Sequence, residues 1–179
     1  MSYNSNAAAI LAARGYDALV DFEATTLADG TLAIDWHHAD PKPTTEQVEQ
    51  WELEQQKPAL IRAAYARCAE LSESLVAGYS PAERSSWTEI AREAQACKDS
   101  GYVTIGPYMQ EEINATPTLD AQTLADRVLG KAAAFRAALA KYKGVRSVLV
   151  AEVEAMTDQQ AVSVTVEQIK SDSRWSDGA

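Results

Sequence analysis

The chain has 179 residues, of which 46% are hydrophobic, and carries a formal net charge of −10 with an isoelectric point near 4.6. This composition excludes a wholly disordered chain, and the length suits one domain or two small modules. The acidic balance argues against a nucleic-acid surface, and no basic amphipathic stretch is suited to an anionic membrane. The N-terminal sequence lacks the features of a signal peptide, and no apolar run approaches the length of a membrane span. We therefore expect a soluble protein that folds in a cytosol.

The first predicted elements are a short helix and a β-hairpin. Residues 7–14 predict a helix that ends at Gly15, a residue that suits a helix C-terminus. Two β-rich runs then flank the dipeptide Asp29-Gly30, which is typical of a two-residue hairpin turn. Alternation in the second run places one set of apolar side chains on one face: Leu32, Ile34 and Trp36. We assign residues 1–43 to a docking module made of this helix and hairpin.

A helical bundle is predicted for residues 44–157. The block DPKPTTEQ ends the hairpin, and Thr44 followed by Gln47 fits a helix N-cap. Pro58 either kinks this helix or begins a new one. A helical hairpin is predicted over residues 58–100, with Ser80-Pro81-Ala82-Glu83 as the capping signal of its second helix. Its apolar stripes are Ile61, Ala64, Cys68, Leu71 and Leu75, then Trp87, Ile90, Ala94 and Cys97.

A short helix after Pro107 and a long third helix from about Asp120 to Met156 complete the predicted bundle. The predicted fold is therefore mainly α, a helical hairpin plus a long third helix, with a small N-terminal β-hairpin; by strict count it is α+β. Much of the hydrophobic content is alanine and only two residues are Phe, so we expect thin helix–helix contacts. The stripe of the third helix contains Leu124, Val128, Ala132, Phe135, Leu139, Tyr142, Leu149, Val153 and Met156.

Residues 158–179 are predicted to be a partly ordered tail. Val162, Val164 and Val166 alternate as in a strand, whereas Thr157 begins a sequence that suits another helix. We favour a helix for the first part of the tail, followed by fraying at the C-terminus.

Little in the sequence predicts catalytic chemistry. The only histidines, His37 and His38, are adjacent, and neighbours in a strand point to opposite faces, so regular geometry does not let both bind one metal. A metal-dependent hydrolase that uses both histidines is retained as a minor alternative. Cys68 and Cys97 are predicted to lie too far apart along the helical hairpin for a disulfide, and are expected to be reduced. No catalytic, cofactor-binding or metal-binding residue is predicted, and no cofactor.

The tryptophans are the candidate partner contacts, because Trp is enriched where interfaces concentrate their binding energy. The alternative is that they fill the space between hairpin and bundle, and the sequence does not decide between the two. Trp175 is the strongest candidate because it lies in a polar tail. The candidates are Trp36, Trp51, Trp87 and Trp175.

The order of residues along the N-terminal part of the sequence resembles that of the small XkdW-type tail proteins of phage and prophage tail modules. In that family a short helix precedes a hairpin with an Asp-Gly turn and a tryptophan, and then a proline- and threonine-rich helix start. The resemblance covers roughly the first 56 residues. The matching residues are Asp21, Phe22, Glu23, Asp29, Gly30, Ile34, Trp36, Pro41, Pro43, Thr44 and Gln47.

The remainder of the chain resembles helical segments associated with phage tail fibres. The matching residues are Trp87, Ile90, Glu93, Ala94, Pro117, Leu119, Leu124, Ala125, Val128, Leu129, Ala132, Phe135 and Ala138.

Together these resemblances imply a non-enzymatic phage tail protein whose partners are tail-fibre or baseplate proteins. We expect it to fold in the host cytoplasm and to be located in the virion tail. They imply a structural connector or decoration, with a tail-fibre assembly chaperone absent from the virion as the alternative. A homo-oligomer is expected, and a trimer would match the symmetry of a fibre. Neither nucleic acid nor membrane is an expected partner. His37 and His38 depart from the family pattern, which has no fixed histidine there.

Overall fold

The computed structural model describes residues 3–176, and the chain is mainly α-helical with a small N-terminal antiparallel hairpin, as the sequence predicts. The last three residues of the predicted fraying tail lie outside the described residues. The elements in chain order are α1 Ala7–Ala13, β1 Phe22–Thr26, β2 Leu32–Trp36, α2 Thr45–Ser74, α3 Pro81–Asp99, α4 Pro107–Ala115, α5 Ala121–Ala155, α6 Asp158–Val162 and α7 Val166–Lys170, followed by a 3₁₀ turn at Ser173–Trp175.

The described chain divides into two compact units. The hairpin unit comprises the described residues up to Tyr65 and from Val148 onward, and the helical unit is Ala66–Ser147. The predicted boundaries at residues 43 and 157 do not coincide with this division, because α2 and α5 each contribute residues to both units. Among residues 3–176, no helix is both long enough and apolar enough to cross a membrane.

The hairpin packs on α1 through one apolar cluster. The predicted face of β2 is the buried one: Leu32 and Ile34 are buried, and Trp36 packs against the cluster. A two-stranded hairpin is marginal in water, so it depends on this contact for stability. The buried members of the cluster are Tyr3, Ala7, Ile10, Leu11, Phe22, Leu32, Ile34 and Val48.

Helix α2 runs without interruption through Pro58, which neither ends it nor begins a new helix. The capping interaction predicted at its start is present: the backbone N–H of Gln47 donates to the Thr44 hydroxyl, and the Thr44 N–H donates to the Gln47 side chain.

The C-terminal segments of the hairpin unit form two short capped helices, and neither a strand nor a frayed end is present over residues 158–176. Thr157 and Thr165 each form a reciprocal capping box with a Gln three residues later, which places residue 162 in α6 and residue 166 in α7. The Gln56 side chain donates to the Val164 carbonyl at 2.7 Å, and this bond ties the segment to α2.

The helical unit begins its second helix at the predicted position. Ser80 caps α3 with a reciprocal bond to Glu83, and Pro81 is its first residue. Cys97 is fully buried, Cys68 is nearly so, and both are free thiols, in line with the reduced state expected from the sequence. Burial raises the pKa of the Cys97 thiol.

Within the helical unit, α3 holds α4 by a buried carboxylate. Glu93 is 7% exposed, and its Oε2 accepts the backbone N–H groups of Tyr108 and Met109 at 3.0 and 3.3 Å. These are free N–H groups of the first turn of α4, so the carboxylate supplies the cap that Gly106 cannot supply itself. A Cβ on Gly106 would lie 2.4 Å from the Glu93 side chain, so this close approach requires glycine.

Candidate protein-binding surface

The hairpin closes with a three-residue loop, and the predicted two-residue turn is wrong. The N–H of Leu27 donates to the Thr31 carbonyl at 2.8 Å, and the N–H of Gly30 donates to the Leu27 carbonyl at 3.0 Å. Gly30 has φ of +81°, so the loop is a tight turn followed by a left-handed residue. The Asp29 carboxylate accepts from both the N–H and the hydroxyl of Thr31, and these bonds lower the pKa of Asp29.

A second tight loop, Asp17–Asp21, precedes β1 and is held by its two end residues. The N–H of Asp17 donates to the Asp21 carboxylate at 2.7 Å, and the N–H of Asp21 donates to the Asp17 carbonyl at 2.8 Å. At the centre of the loop, Leu19 has φ of +79°, a left-handed conformation that is unusual for a bulky residue. The loop therefore keeps a leucine in a strained backbone position.

Exposed apolar side chains lie at both ends of β1. Leu19 is 80% exposed and Val20 is 67% exposed before the strand, and Leu27 is 39% exposed after it. A single exposed leucine needs no explanation, but apolar residues grouped at the ends of a strand are typical of a protein-binding surface. We call Leu19, Val20, β1 and Leu27 the hairpin edge.

The aromatic residues beside the hairpin pack on each other. Trp36 stacks on Phe22 with ring centroids 6.4 Å apart and lies edge-on to Tyr16 at 4.8 Å. Its indole N–H donates to the Asp40 carbonyl at 2.7 Å. Trp36 is therefore half-buried in a local cluster, with only part of its surface open to a partner.

The adjacent histidines do not converge on one site. His37 Nε2 lies 3.9 Å from the Asp35 carboxylate, whereas His38 Nδ1 lies 3.4 Å from the Asp40 carboxylate and accepts the Asp40 N–H. Their backbone N–H groups both donate to the Asp21 carbonyl, which fixes the end of the hairpin. Within residues 3–176, no group of His, Cys, Asp and Glu side chains is arranged to hold a metal ion.

The remaining tryptophans occupy three different environments. Trp51 is half-buried, with the Arg14 guanidinium 5.0 Å above its ring. Trp87 is half-buried in the helical unit, edge-on to Tyr79 at 5.0 Å and to Phe135 at 5.6 Å. These contacts leave part of both indole rings accessible.

Trp175 is a core residue. It is 4% exposed, and its indole N–H donates to the Ile169 carbonyl at 2.9 Å. Arg174 beside it bonds both the Glu152 and the Asp172 carboxylates at 2.7 to 2.8 Å, which lowers the pKa of each carboxyl group. The polar sequence around Trp175 predicts an exposed partner contact, but Arg174 and Asp172 bond within the chain and the Trp175 ring is buried.

The exposed residues of the hairpin edge were missed by sequence reasoning. The apolar pair Leu19 and Val20 adjoins the first β-rich run and has the composition of a buried strand start. The bracketing aspartates, Asp17 and Asp21, were the available signal, since Asp side chains favour tight local turns over strands.

Comparison of the chain with known protein families, curated proteins and solved structures returns no match.

Proposed function

We propose that this chain is a non-enzymatic structural protein of a phage tail, located in the virion and associated with the baseplate or tail fibre. It acts as a connector or decoration through protein–protein contacts. The ordered resemblance of its first 56 residues to XkdW-type tail proteins supports the tail assignment. The observation that carries a binding function is the hairpin edge, where Leu19 and Val20 are largely exposed.

Self-association is the second part of the proposal, and the helical unit supports it. Part of its apolar stripes is only half-buried, and a second or third copy would complete that burial through coiled-coil-like contacts. A trimer matches the symmetry of a tail fibre. The half-buried stripe residues include Leu71, Leu75, Trp87, Ile90, Val128, Ala132, Phe135, Leu139 and Tyr142.

Quantitative mass spectrometry of purified phage particles tests the structural function. A phage carrying the gene is grown, and copies of the chain per particle are measured against a known tail protein. A fixed copy number, at a multiple of the tail symmetry, is the expected result. Abundance in the infected lysate with absence from the particle would instead support a tail-fibre assembly chaperone.

The self-association is tested separately by sedimentation of the purified chain over a range of concentrations. A trimer that dissociates on Phe135→Asp, but not on Leu19→Asp, is expected if the helical stripes form the interface. A concentration-independent monomer would contradict the oligomer and leave the hairpin edge as the binding surface.

A further inference from the structure

The hydrogen-bond pattern of the hairpin leaves one edge open. In an antiparallel pair, hydrogen-bonded and non-hydrogen-bonded residue pairs alternate. The Leu27–Thr31 bond at one end and the bond from the His37 N–H to the Asp21 carbonyl at the other set the phase. Ala24 and Thr26 therefore direct their N–H and C=O groups away from β2. In the described part of the chain, no backbone hydrogen bond outside the strand pairing involves either residue.

The other sides of the hairpin are covered in part. On the far side of β2, Leu32 exchanges two backbone hydrogen bonds of 2.8 Å with Tyr3, and the Lys42 ammonium donates to the Ile34 carbonyl. At the start of β1, the Leu19 N–H donates to the Phe22 carbonyl at 2.8 Å and closes the edge there. The open backbone thus runs from Ala24 to Thr26, and it is bounded by exposed apolar side chains at both ends.

The Asp, Glu, Lys and Arg side chains within the hairpin sequence are all acidic. Between Gly15 and Pro41 the sequence contains six Asp and Glu residues and no Lys or Arg. Glu23 lies directly opposite Asp35 in the register, and both are exposed. Like charges in that position destabilise a sheet, and the imidazole that lies near Asp35, that of His37, is 3.9 Å from its carboxylate.

We propose that the open edge of β1 binds an extended segment of a partner protein in which basic residues alternate with apolar ones. The segment adds a third strand, bonded to the backbone of Ala24 and Thr26. Its basic side chains lie beside Glu23 on the exposed face, and its apolar side chains lie on the opposite face with Ala24. A second copy of β1 fits poorly, because it would bring two acidic hairpins together. The inference rests on the proposed function, since it names the partner chemistry of the same hairpin.

The probe for this inference is a short, end-blocked peptide of alternating lysine and valine, titrated into the full chain. Binding should shift and protect the backbone amides of Ala24 and Thr26 in ¹⁵N-resolved NMR spectra. The same peptide with glutamate in place of lysine should bind at least about tenfold more weakly. The lysine peptide N-methylated on its bonding edge should not bind, because it cannot donate to the strand.

Variants of the chain locate the site. Ala24→Pro removes the central outward N–H while leaving the bonds to β2 intact, and should abolish binding. Leu19→Ser should weaken binding severalfold. Val103→Ser is the matched control, because Val103 is 81% exposed and lies in the helical unit; it should leave binding unchanged.

Three results would overturn the inference: equal binding of the N-methylated peptide, equal binding of the glutamate peptide, or self-association of the chain that Ala24→Pro abolishes. The last would assign the edge to a second copy. If the peptide does not bind but the particle contains a fixed number of copies, the structural function is supported and the chain binds its partner through another surface. If the peptide binds specifically but the chain is absent from particles, the proposed strand-binding edge is supported and the structural function in the virion is rejected.

Discussion

The two units of this chain differ in how they use apolar side chains and charge. The hairpin unit buries large residues, among them Tyr3, Phe22 and Trp175, whereas the buried residues of the helical unit are mostly small. Its own aromatic residues, such as Trp87 and Phe135, stay half-exposed. Because burial of large side chains contributes most hydrophobic stability, we infer that the hairpin unit is the more self-sufficient of the two.

The two units also differ in net charge. Residues Ala66–Ser147 contain ten basic and ten acidic residues, so the whole net charge of −10 lies on the hairpin unit. Self-repulsion of that acidic unit opposes contact between two copies of it, whereas the neutral helical unit is free of this penalty. The difference favours the helical unit for the proposed self-association and the hairpin unit for the proposed binding of a basic partner.

Alanine substitution of one tryptophan in each unit tests this difference in burial. Trp175→Ala should reduce the free energy of unfolding by about 3–5 kcal/mol, because it empties a buried site. Trp87→Ala should cost about half as much, because its ring is already partly in water. Urea denaturation followed by circular dichroism measures both, with Trp175→Phe as the control that keeps an aromatic ring but loses one hydrogen bond and part of the buried volume, about 2 kcal/mol. Equal costs for the two alanine variants, dependent on protein concentration, would mean that another copy buries Trp87.

A smaller effect is expected at the buried carboxylate of the α3–α4 contact. Glu93→Ala leaves two N–H groups of α4 without their acceptor, and should cost about 2 kcal/mol. Gly106→Ala should cost a similar amount by displacing the same carboxylate. Because both act on one contact, their combined cost should fall well short of the sum, as measured in a double-mutant cycle. Additive costs would show that Gly106 and Glu93 act independently.

The tail of the hairpin unit should respond to pH. Arg174 lowers the pKa of Asp172 and Glu152 from their ordinary values of 3.8 and 4.5. Their stabilisation is therefore fully present above those values and is lost as the pH falls through the lowered pKa values. Arg174→Met should cost about 1 kcal/mol at pH 7, and much less once both carboxyl groups are protonated. Denaturation of both proteins across acidic pH measures this difference; a cost independent of pH would indicate that packing of the arginine stem dominates.

Local patterns predicted most elements, because their causes are local. The capping boxes at Ser80 and Thr157 and the glycine after α1 depend on neighbouring residues alone, and the structure has all three. The burial of Trp175 was not predictable in this way, since it depends on Glu152, a residue far away in the chain that anchors Arg174. Pro58 shows the same limit. Proline favours a break in a helix, yet α2 continues through Pro58.

The hairpin edge was hidden from sequence reasoning for a different reason. Its unpaired groups belong to the backbone. Whether the N–H and C=O groups of Ala24 and Thr26 face β2 or point away from it depends on the register of the two strands. A two-residue turn would have shifted that register. The three-residue loop at Gly30 is therefore what turns these groups toward solvent.

A small change in stability is expected from substitution of Leu19 in the hairpin unit. Leu19→Asn relieves a left-handed backbone that is costly for leucine and removes an exposed apolar side chain, so stability should be unchanged or rise by about 1 kcal/mol. Val20→Asn is the control, since Val20 has no positive φ and should give no such gain. Thermal unfolding of the two variants measures the difference. A loss of stability on Leu19→Asn would mean that Leu19 packs within its own chain. An unchanged or raised stability, with binding of the lysine–valine peptide lost, would show that the strain is retained for contact with a partner.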